Sequence, residues 1–276
     1  MRMHEVTVRR GGMLALAWAL ATGGSAAAQW LSLPLPGTPR TADGKPNLNA
    51  PAPRTADGRP DLSGIWLNEN RRVNENLAPD GAEVPMLPWA ADLYRHRQQT
   101  MGYDRPMTRC MPHGVPDAVT SPYPFKFIQT PGVTLILYEE FHKYRQIHTD
   151  GRALPVDPDP AYYGYSVGHW DGETFVVDTA GFKEGSWLDN GGHPHTEALR
   201  ISERFRRINF GRLQLDVTVD DPNAYSRPWK SDTFRFVLQP DTEILEHLCE
   251  NNRDLVSLQE YWEKQQKAAP PPTGKQ

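Results

Sequence analysis

Residues 213–220 read Leu-Gln-Leu-Asp-Val-Thr-Val-Asp, a strict alternation of apolar and polar side chains. Successive side chains of a β-strand point to opposite faces of the sheet, so this pattern predicts a strand with one buried and one solvated face. A second strand signal precedes it at 199–207, and Asn209-Phe210-Gly211 between them has the residue types of a tight turn. The two stretches therefore predict a β-hairpin.

Strand signals and short turns continue over most of the chain. Thr130-Pro131-Gly132 and Trp170-Asp171-Gly172-Glu173 have the composition of hairpin connections. We therefore expect an all-β fold, one antiparallel barrel of roughly nine or ten strands, because a sheet this long usually curls or closes. The predicted strands are 62–66, 125–130, 133–139, 144–149, 165–170, 174–179, 199–207, 212–220, 233–238 and 244–250.

The segments around the predicted barrel differ from it in composition. Fifteen of the 26 prolines lie between residues 34 and 124, and Pro-Arg-Thr-Ala-Asp-Gly occurs twice, at 39–44 and 53–58. We expect a proline-rich N-terminal arm that lies on the surface or reaches a partner, including a second copy of this chain. Helices are predicted at 89–99 and, from one apolar face, at 254–267. The expected divisions are an export segment (1–28), the arm (29–62), one barrel domain with the C-terminal helix (63–267) and a disordered tail (268–276).

The first 28 residues have the pattern of an export signal. Arg9 and Arg10 precede an apolar run at 13–21, and a small-residue signal-peptidase motif ends at Ala28. We expect cleavage before Gln29 and a periplasmic or secreted protein, exported by the twin-arginine or the general secretory route. The apolar run is too short to span a membrane.

The charge and the cysteine content of the chain limit the kinds of function that the protein can have. The 248 residues after the export segment carry 27 Lys and Arg and 33 Asp and Glu, a net charge of −6. That balance argues against a nucleic-acid partner and against an anionic membrane surface. Cys110 and Cys249 are the two cysteines of the chain, and in an oxidising compartment two lone cysteines favour a disulfide. The alternative is a reactive, nucleophilic cysteine.

Four motifs resemble those of a family of uncharacterised secreted bacterial proteins. They are Thr-Ala-Asp-Gly-x-Pro-Asp-Leu-Ser-Gly-x-Trp (55–66), Tyr-Arg-x-Ile-x-Thr-Asp-Gly-Arg (144–152), Gly-x-Trp-Asp-Gly-x-Thr-x-Val-Val-Asp-Thr (168–179) and Trp-Leu-Asp…Gly-His-Pro-His-Thr-Glu (187–197). The resemblance covers most of the chain after the export segment and implies a lipocalin-like or calycin-like barrel. It implies no established activity.

The densest polar cluster is the motif at 187–197, which begins at Trp187. Alternate residues of an extended chain project to one side, so His193, His195 and Glu197 have the spacing of three metal ligands. Two other interpretations are metal-free acid–base catalysis and a polar loop whose histidines hold turns together. A further metal ligand would come from His142, His148 or His169.

The metal interpretation lacks a complete ligand set, because no second motif supplies the missing ligand. We therefore expect no resident cofactor. Purified protein is predicted to carry less than about half an equivalent of zinc. Elemental analysis checks this: one tightly held metal per chain, lost when His193 and His195 are changed to alanine, would contradict it.

A second polar cluster lies on the predicted strand at 144–149. Tyr144, Gln146 and His148 share one face of this strand, and Arg145 and Ile147 share the other. If the first face points inward, the barrel contains a phenol, an amide and an imidazole. Such groups bind a polar ligand or move protons.

Two arginines near this strand are candidates to bind a substrate carboxylate. Arg145 and Arg152 both offer the forked donors that grip a carboxylate at two points. The alternative interpretation is that Arg152 pairs with Asp150 within a turn and that His142 only caps a loop.

A third cluster lies on the neighbouring strands, where Tyr165, His169, Trp170 and Asp178 follow one another. A buried Asp178 among apolar neighbours would need a partner, and Arg204 is one candidate. A structural ion pair is the simpler interpretation of that aspartate.

Several catalytic signatures are missing from the sequence. It has no Gly-x-Ser-x-Gly elbow, no glycine-rich phosphate loop, no Cys-x-x-Cys-His and no His-Glu-x-x-His. Their absence weighs against the common serine hydrolases, nucleotide enzymes, cytochromes and zinc proteases.

The remaining polar residues suggest an exported enzyme of lyase or isomerase type that uses acid–base chemistry on a small polar or aromatic molecule bound in the barrel. The alternatives are a non-catalytic carrier and an assembly role through the arm. We expect His195 or His142 as base, Tyr144 or Tyr165 as acid and Arg145 as substrate anchor. The catalytic candidates are His142, Tyr144, Tyr165, His193 and His195, and the binding candidates are Arg145, His148, His169, Trp170, Trp187 and Glu197.

Overall fold

The computed structural model describes residues 33–69, 76–79, 81–100, 102–247 and 249. Within these residues ten strands form one sheet, which confirms the predicted all-β class. The strands are β1 (Gly64–Asn68), β2 (Phe125–Thr130), β3 (Val133–Tyr138), β4 (Tyr144–His148), β5 (Tyr165–Asp171), β6 (Thr174–Ala180), β7 (Arg200–Asn209), β8 (Arg212–Asp220), β9 (Trp229–Lys230) and β10 (Phe234–Leu238). The helices are α1 (Pro88–Gln99) and α2 (Asp117–Thr120), with 3₁₀ turns at Pro106–Arg109 and Glu140–His142.

The sheet closes into a barrel. Strands β1 to β8 are neighbours in sequence order, and β10 pairs with β1 on one side and with β8 on the other. The closing registers include Trp66 opposite Leu238 and Phe234 opposite Leu215. Nine strands therefore form the ring, and the short β9 pairs with β8 beside it.

One strand pair departs from the expected antiparallel arrangement. β4 and β5 run parallel, with Ile147 opposite Ser166 and His148 opposite Val167. Parallel neighbours need a crossover connection instead of a hairpin, and residues 149–164 supply it. The prediction of an entirely antiparallel barrel is wrong at this position.

One C-terminal prediction is wrong, and the others lie outside the described residues. The strand expected at 244–250 is wrong for its described residues, which are not in a strand. This segment instead packs on the turn at Glu140–His142: Leu245 N donates to Glu139 Oε2 (3.0 Å), and His247 N donates to His142 Nε2 (2.9 Å). The export segment (1–28), the helix at 254–267 and the tail lie outside the described residues.

The interior of the barrel is filled by side chains. The fully buried rings of Phe125 and Phe236 meet at 5.2 Å between centroids, and Phe127 meets Phe205 at 5.1 Å. A Cβ added to Gly168 would lie 2.6 Å from Phe175, so the backbone of β5 approaches that ring as closely as glycine permits. This part of the barrel is a packed hydrophobic core.

The repeated motif of the arm forms the same clip twice. Arg40 and Arg54 each donate to a carbonyl four residues ahead, at Gly44 and Gly58. Each arginine also pairs with an acidic side chain beyond the arm: Arg40 with Asp241 at 2.7 Å, and Arg54 with Glu173 of the β5–β6 turn at 2.9 Å. The described part of the arm therefore lies along the barrel, while its role in binding a partner stays a prediction.

Cys110 and Cys249 form the predicted disulfide, with their Cα atoms 5.7 Å apart. It ties the segment after β10 to the loop that precedes α2. Among the described residues, no helix combines the length and the hydropathy needed to cross a bilayer.

Candidate functional site

The parallel pair β4–β5 borders an open groove on the outside of the barrel. Its volume is about 450 Å³, and residues of both β4 and β5 line it. The crossover adds Tyr162 and Tyr163 to the wall, and Pro112 comes from the loop before α2. The groove brings together four of the predicted site residues: Tyr144, Arg145, His148 and Tyr165.

The acid–base hypothesis considered Tyr144, Gln146 and His148 as the inward face of β4. The structure turns the other face of β4 towards the core. Ile147 and Arg145 are buried, whereas Tyr144 is 60 % exposed and Gln146 is exposed. Alternation along a strand couples these orientations: because the apolar Ile147 enters the core, Arg145 enters with it. The phenol, amide and imidazole therefore lie on the outside of the barrel, at the groove.

His148 and Tyr165 lie side by side at the groove. Their rings stack at 5.1 Å between centroids. Arg152 Nη1 donates to the Tyr165 hydroxyl at 3.0 Å and also pairs with Asp150 at 2.6 Å, as the turn interpretation predicted. Hydrogen bonds from Arg152 lower the pKa of Asp150 to about 2. The imidazole of His148 thus lies beside the phenol of Tyr165 at an open surface, and the phenol accepts a hydrogen bond from the charged Arg152.

Arg145 lies beneath the groove and is held by other side chains. Its Nη2 donates to Glu203 Oε2 and to the Thr179 hydroxyl, both at 2.6 Å, and its Nε donates to Ser166 Oγ at 2.9 Å. Burial disfavours its charge, but the Glu203 carboxylate outweighs this and raises the pKa of Arg145. Arg145 is therefore suited to hold the floor of the groove and is poorly placed to grip a substrate.

A buried histidine between two carboxylates escaped the sequence analysis. His113 Nδ1 donates to Asp117 at 2.5 Å, and its Nε2 lies 2.7 Å from Glu140 Oε2; Arg105 also pairs with Asp117. Burial would lower the pKa of His113, but the two carboxylates raise it to about 9. The four-residue spacing of His113 and Asp117 was the available signal, and Glu140 is too distant in sequence to be found.

His113 is expected to make stability depend on pH. The folded-state pKa of about 9 exceeds the ordinary value of 6.5, so this contribution is full below about pH 6.5 and is lost as the pH rises through 9. The shift corresponds to roughly 3 kcal/mol. Urea unfolding at pH 6 and pH 9.5 should show this loss in the wild type but not in His113→Gln. His96→Gln, on the exposed side of α1, is the control; an unchanged pH dependence in His113→Gln would refute the assignment.

His193 is fixed by Asp189 within the 187–197 loop. Asp189 accepts a hydrogen bond from His193 Nδ1 at 2.6 Å and also from the backbone N–H groups of Leu77 and Gly192. Burial alone would raise the pKa of Asp189, but the nearby His193 lowers it. The imidazole also stacks on Tyr94 at 4.3 Å between centroids.

The three expected metal ligands have separate surroundings. His195 contacts Ser186 and Thr196, not Asp189, and Glu197 is exposed. Across the described ranges, no group of three His, Cys, Asp or Glu side chains is arranged to hold a metal ion. Trp187 is buried with the Arg97 guanidinium 4.3 Å from its ring centroid. The zinc measurement stays the test of the metal prediction.

The other candidate residues lie outside the groove. His169 is exposed on β5, and Trp170 packs against Phe175 at 5.3 Å between centroids. His142 Nε2 accepts a hydrogen bond from the backbone N–H of His247. Arg204, one candidate partner for Asp178, pairs instead with Asp171 at 2.7 Å. In the β6–β7 register Asp178 is opposite Ser202, two positions from Arg204.

Comparisons with known proteins identify no family for this chain. No family model matches this chain, and no curated protein and no solved structure matches it either.

Proposed function

We propose that the protein is an exported enzyme of lyase or isomerase type that moves a proton on a small polar or aromatic molecule bound in the β4–β5 groove. The observation that carries this proposal is the stacked pair of His148 and Tyr165 at the groove, with Arg152 donating to the phenol. The packed barrel interior favours the outer groove over the interior as the binding position.

The proposed roles follow from the chemistry of each side chain. Histidine is the residue type that most often exchanges protons near neutral pH, so His148 serves as the general base. Tyr165 returns the proton, and the hydrogen bond from Arg152 stabilises negative charge on the phenol oxygen while the proton is away. The exposed ring of Tyr144 offers an apolar face to the substrate, and Lys143 at the groove offers a positive charge.

We also propose a periplasmic or secreted location. The export pattern at 1–28 supports it, and the disulfide is compatible with an oxidising compartment. Such a location brings the protein into contact with small molecules that enter from the surroundings of the cell.

A second candidate function is a carrier that binds without turnover. It is favoured by the openness of the groove, because Tyr144 is 60 % exposed and the groove lies on the outer surface. Catalytic sites usually exclude water from the reacting atoms, whereas reversible binding does not require this.

The groove variants separate the two functions. Ligands are first found by native mass spectrometry with plant-derived aromatics and sugar acids, and turnover is then assayed for each bound compound. We expect Tyr165→Phe and His148→Gln to lower kcat by roughly 100-fold or more, because each removes a proton-transfer group. His96→Gln on α1 is the matched control and should keep wild-type kcat.

Two outcomes would contradict the enzyme proposal. Tight binding without turnover would favour the carrier. Turnover that survives in both Tyr165→Phe and His148→Gln would place the chemistry elsewhere in the molecule.

A further inference from the structure

Ser186 and His195 lie side by side in the connection between β6 and β7, outside the groove lining. Ser186 Oγ is 2.7 Å from His195 Nε2, and His195 Nδ1 is 3.0 Å from the carbonyl oxygen of Thr196. Because a carbonyl oxygen only accepts, Nδ1 carries the proton and Nε2 accepts from the Ser186 hydroxyl. This is the hydrogen-bond polarity of a serine nucleophile and its general base.

The group that orients the imidazole is itself held in place. Thr196 N and Thr196 Oγ1 donate to the Asp221 carboxylate at 2.6 and 2.9 Å. A serine–histidine pair needs a third group that fixes the ring of the base. Here the Thr196 carbonyl does so, and the buried Asp221 fixes Thr196.

The surroundings of His195 suit a ring that gains a proton only during reaction. Burial lowers the pKa of His195, which keeps Nε2 free of a proton near neutral pH. The hydrogen bond to Thr196 and the carboxylates of Asp221 and Glu184 act in the opposite direction, while Arg97 adds to the lowering. The same carboxylates would stabilise the imidazolium that forms when Ser186 gives up its proton.

Ser186 is buried, at 4 % exposed, and it directly follows an exposed stretch of the chain. The exposed residues 183–185 come directly before it, and Gly185 has a φ of +100°, a conformation that favours glycine. A Cβ on Gly185 would meet nothing within 4 Å. On the other side the Gly114 backbone approaches so closely that a Cβ there would lie 2.7 Å from Ser186 Oγ. Ser186 thus directly follows an exposed glycine turn and packs closely against Gly114 on its other side.

We infer that Ser186 is a nucleophile towards activated acyl esters, with His195 as its general base, in a hydrolytic activity separate from the proton chemistry of the groove. Ser186 Oγ bonds to the acyl carbon as the ester C–O bond breaks, and the hydroxyl proton passes through His195 Nε2 to the leaving oxygen. Water then gives a proton to Nε2 and bonds to the acyl carbon. The acid departs as the proton returns to Ser186.

A fluorophosphonate probe tests the inference on the folded full-length chain. Ser186 Oγ is expected to displace fluoride from phosphorus, which leaves one adduct per chain that peptide mapping assigns to Ser186. Ser186→Ala should carry no adduct. His195→Gln should react with the probe at least roughly 100-fold more slowly than the wild type, because it lacks the base. Ser121→Ala is the matched control: Ser121 is equally buried, but its hydroxyl donates to the Ala118 carbonyl, and this variant should label fully.

Three results would overturn the inference. They are a folded wild type without an adduct at Ser186, an adduct that forms only after unfolding in urea, and equal labelling rates in the wild type and His195→Gln. The wild type alone decides the first two, so the test survives a variant that fails to fold. Covalent labelling is a different readout from turnover in the groove, so the two proposals succeed or fail separately.

Discussion

Arg145→Leu is expected to lower the free energy of unfolding by about 3–5 kcal/mol at neutral pH. In the wild type the guanidinium of Arg145 is 2.6 Å from Glu203, and both side chains are buried inside the barrel. Leucine fills part of the same space but leaves the Glu203 carboxylate as an unpaired charge in the core. Urea unfolding, followed by tryptophan fluorescence, measures the loss.

Two further variants show whether burial of the charge is the cause. Arg204→Leu removes the exposed pair with Asp171, and it should change stability by no more than about 1 kcal/mol. Arg145→Leu combined with Glu203→Leu removes both buried charges and should recover most of the loss. An Arg145→Leu variant as stable as the wild type would show that the ion pair does not hold the barrel.

Replacement of Cys110 and Cys249 by alanine is expected to cost about 4–5 kcal/mol of unfolding free energy. The two cysteines are separated by 139 positions, and a bond across so long a loop removes much of the conformational freedom of the unfolded chain. Urea unfolding of the double variant measures the effect.

Two further measurements test the disulfide. Reductant should destabilise the wild type by a similar amount and leave the double variant unchanged. Thiol titration of denatured, unreduced protein should find no free thiol, and two free thiols would contradict the pairing.

The local sequence pattern predicted the positions of the strands well, but it did not predict which strands pair with each other in every case. The bounds of β1 to β8 and of β10 agree with the expected strands within two residues, because alternation and turn chemistry are local properties. Alternation does not say which strand lies beside which. The parallel pairing of β4 with β5 depends on the path of residues 149–164, and a local sequence pattern does not show that path.

The site was harder to predict because its orientation depends on the core. The sequence identified Tyr144, His148 and Tyr165 as candidates, and the structure collects them at one groove. Which face of β4 enters the barrel was decided by Ile147, and Arg145 went inside with it. The pairing of His113 with Glu140 joins residues from different loops, which no spacing rule connects.

Closure of the barrel has a consequence for the order of folding. The ring is completed when β10 pairs with β1, which places Trp66 opposite Leu238, two residues far apart in the sequence. Contacts between residues so far apart in sequence slow folding, because the loop between them must be ordered first. The ribosome must therefore deliver residues 234–238 before the ring can form, and a chain truncated before β10 would expose the edges of β1 and β8 to other chains.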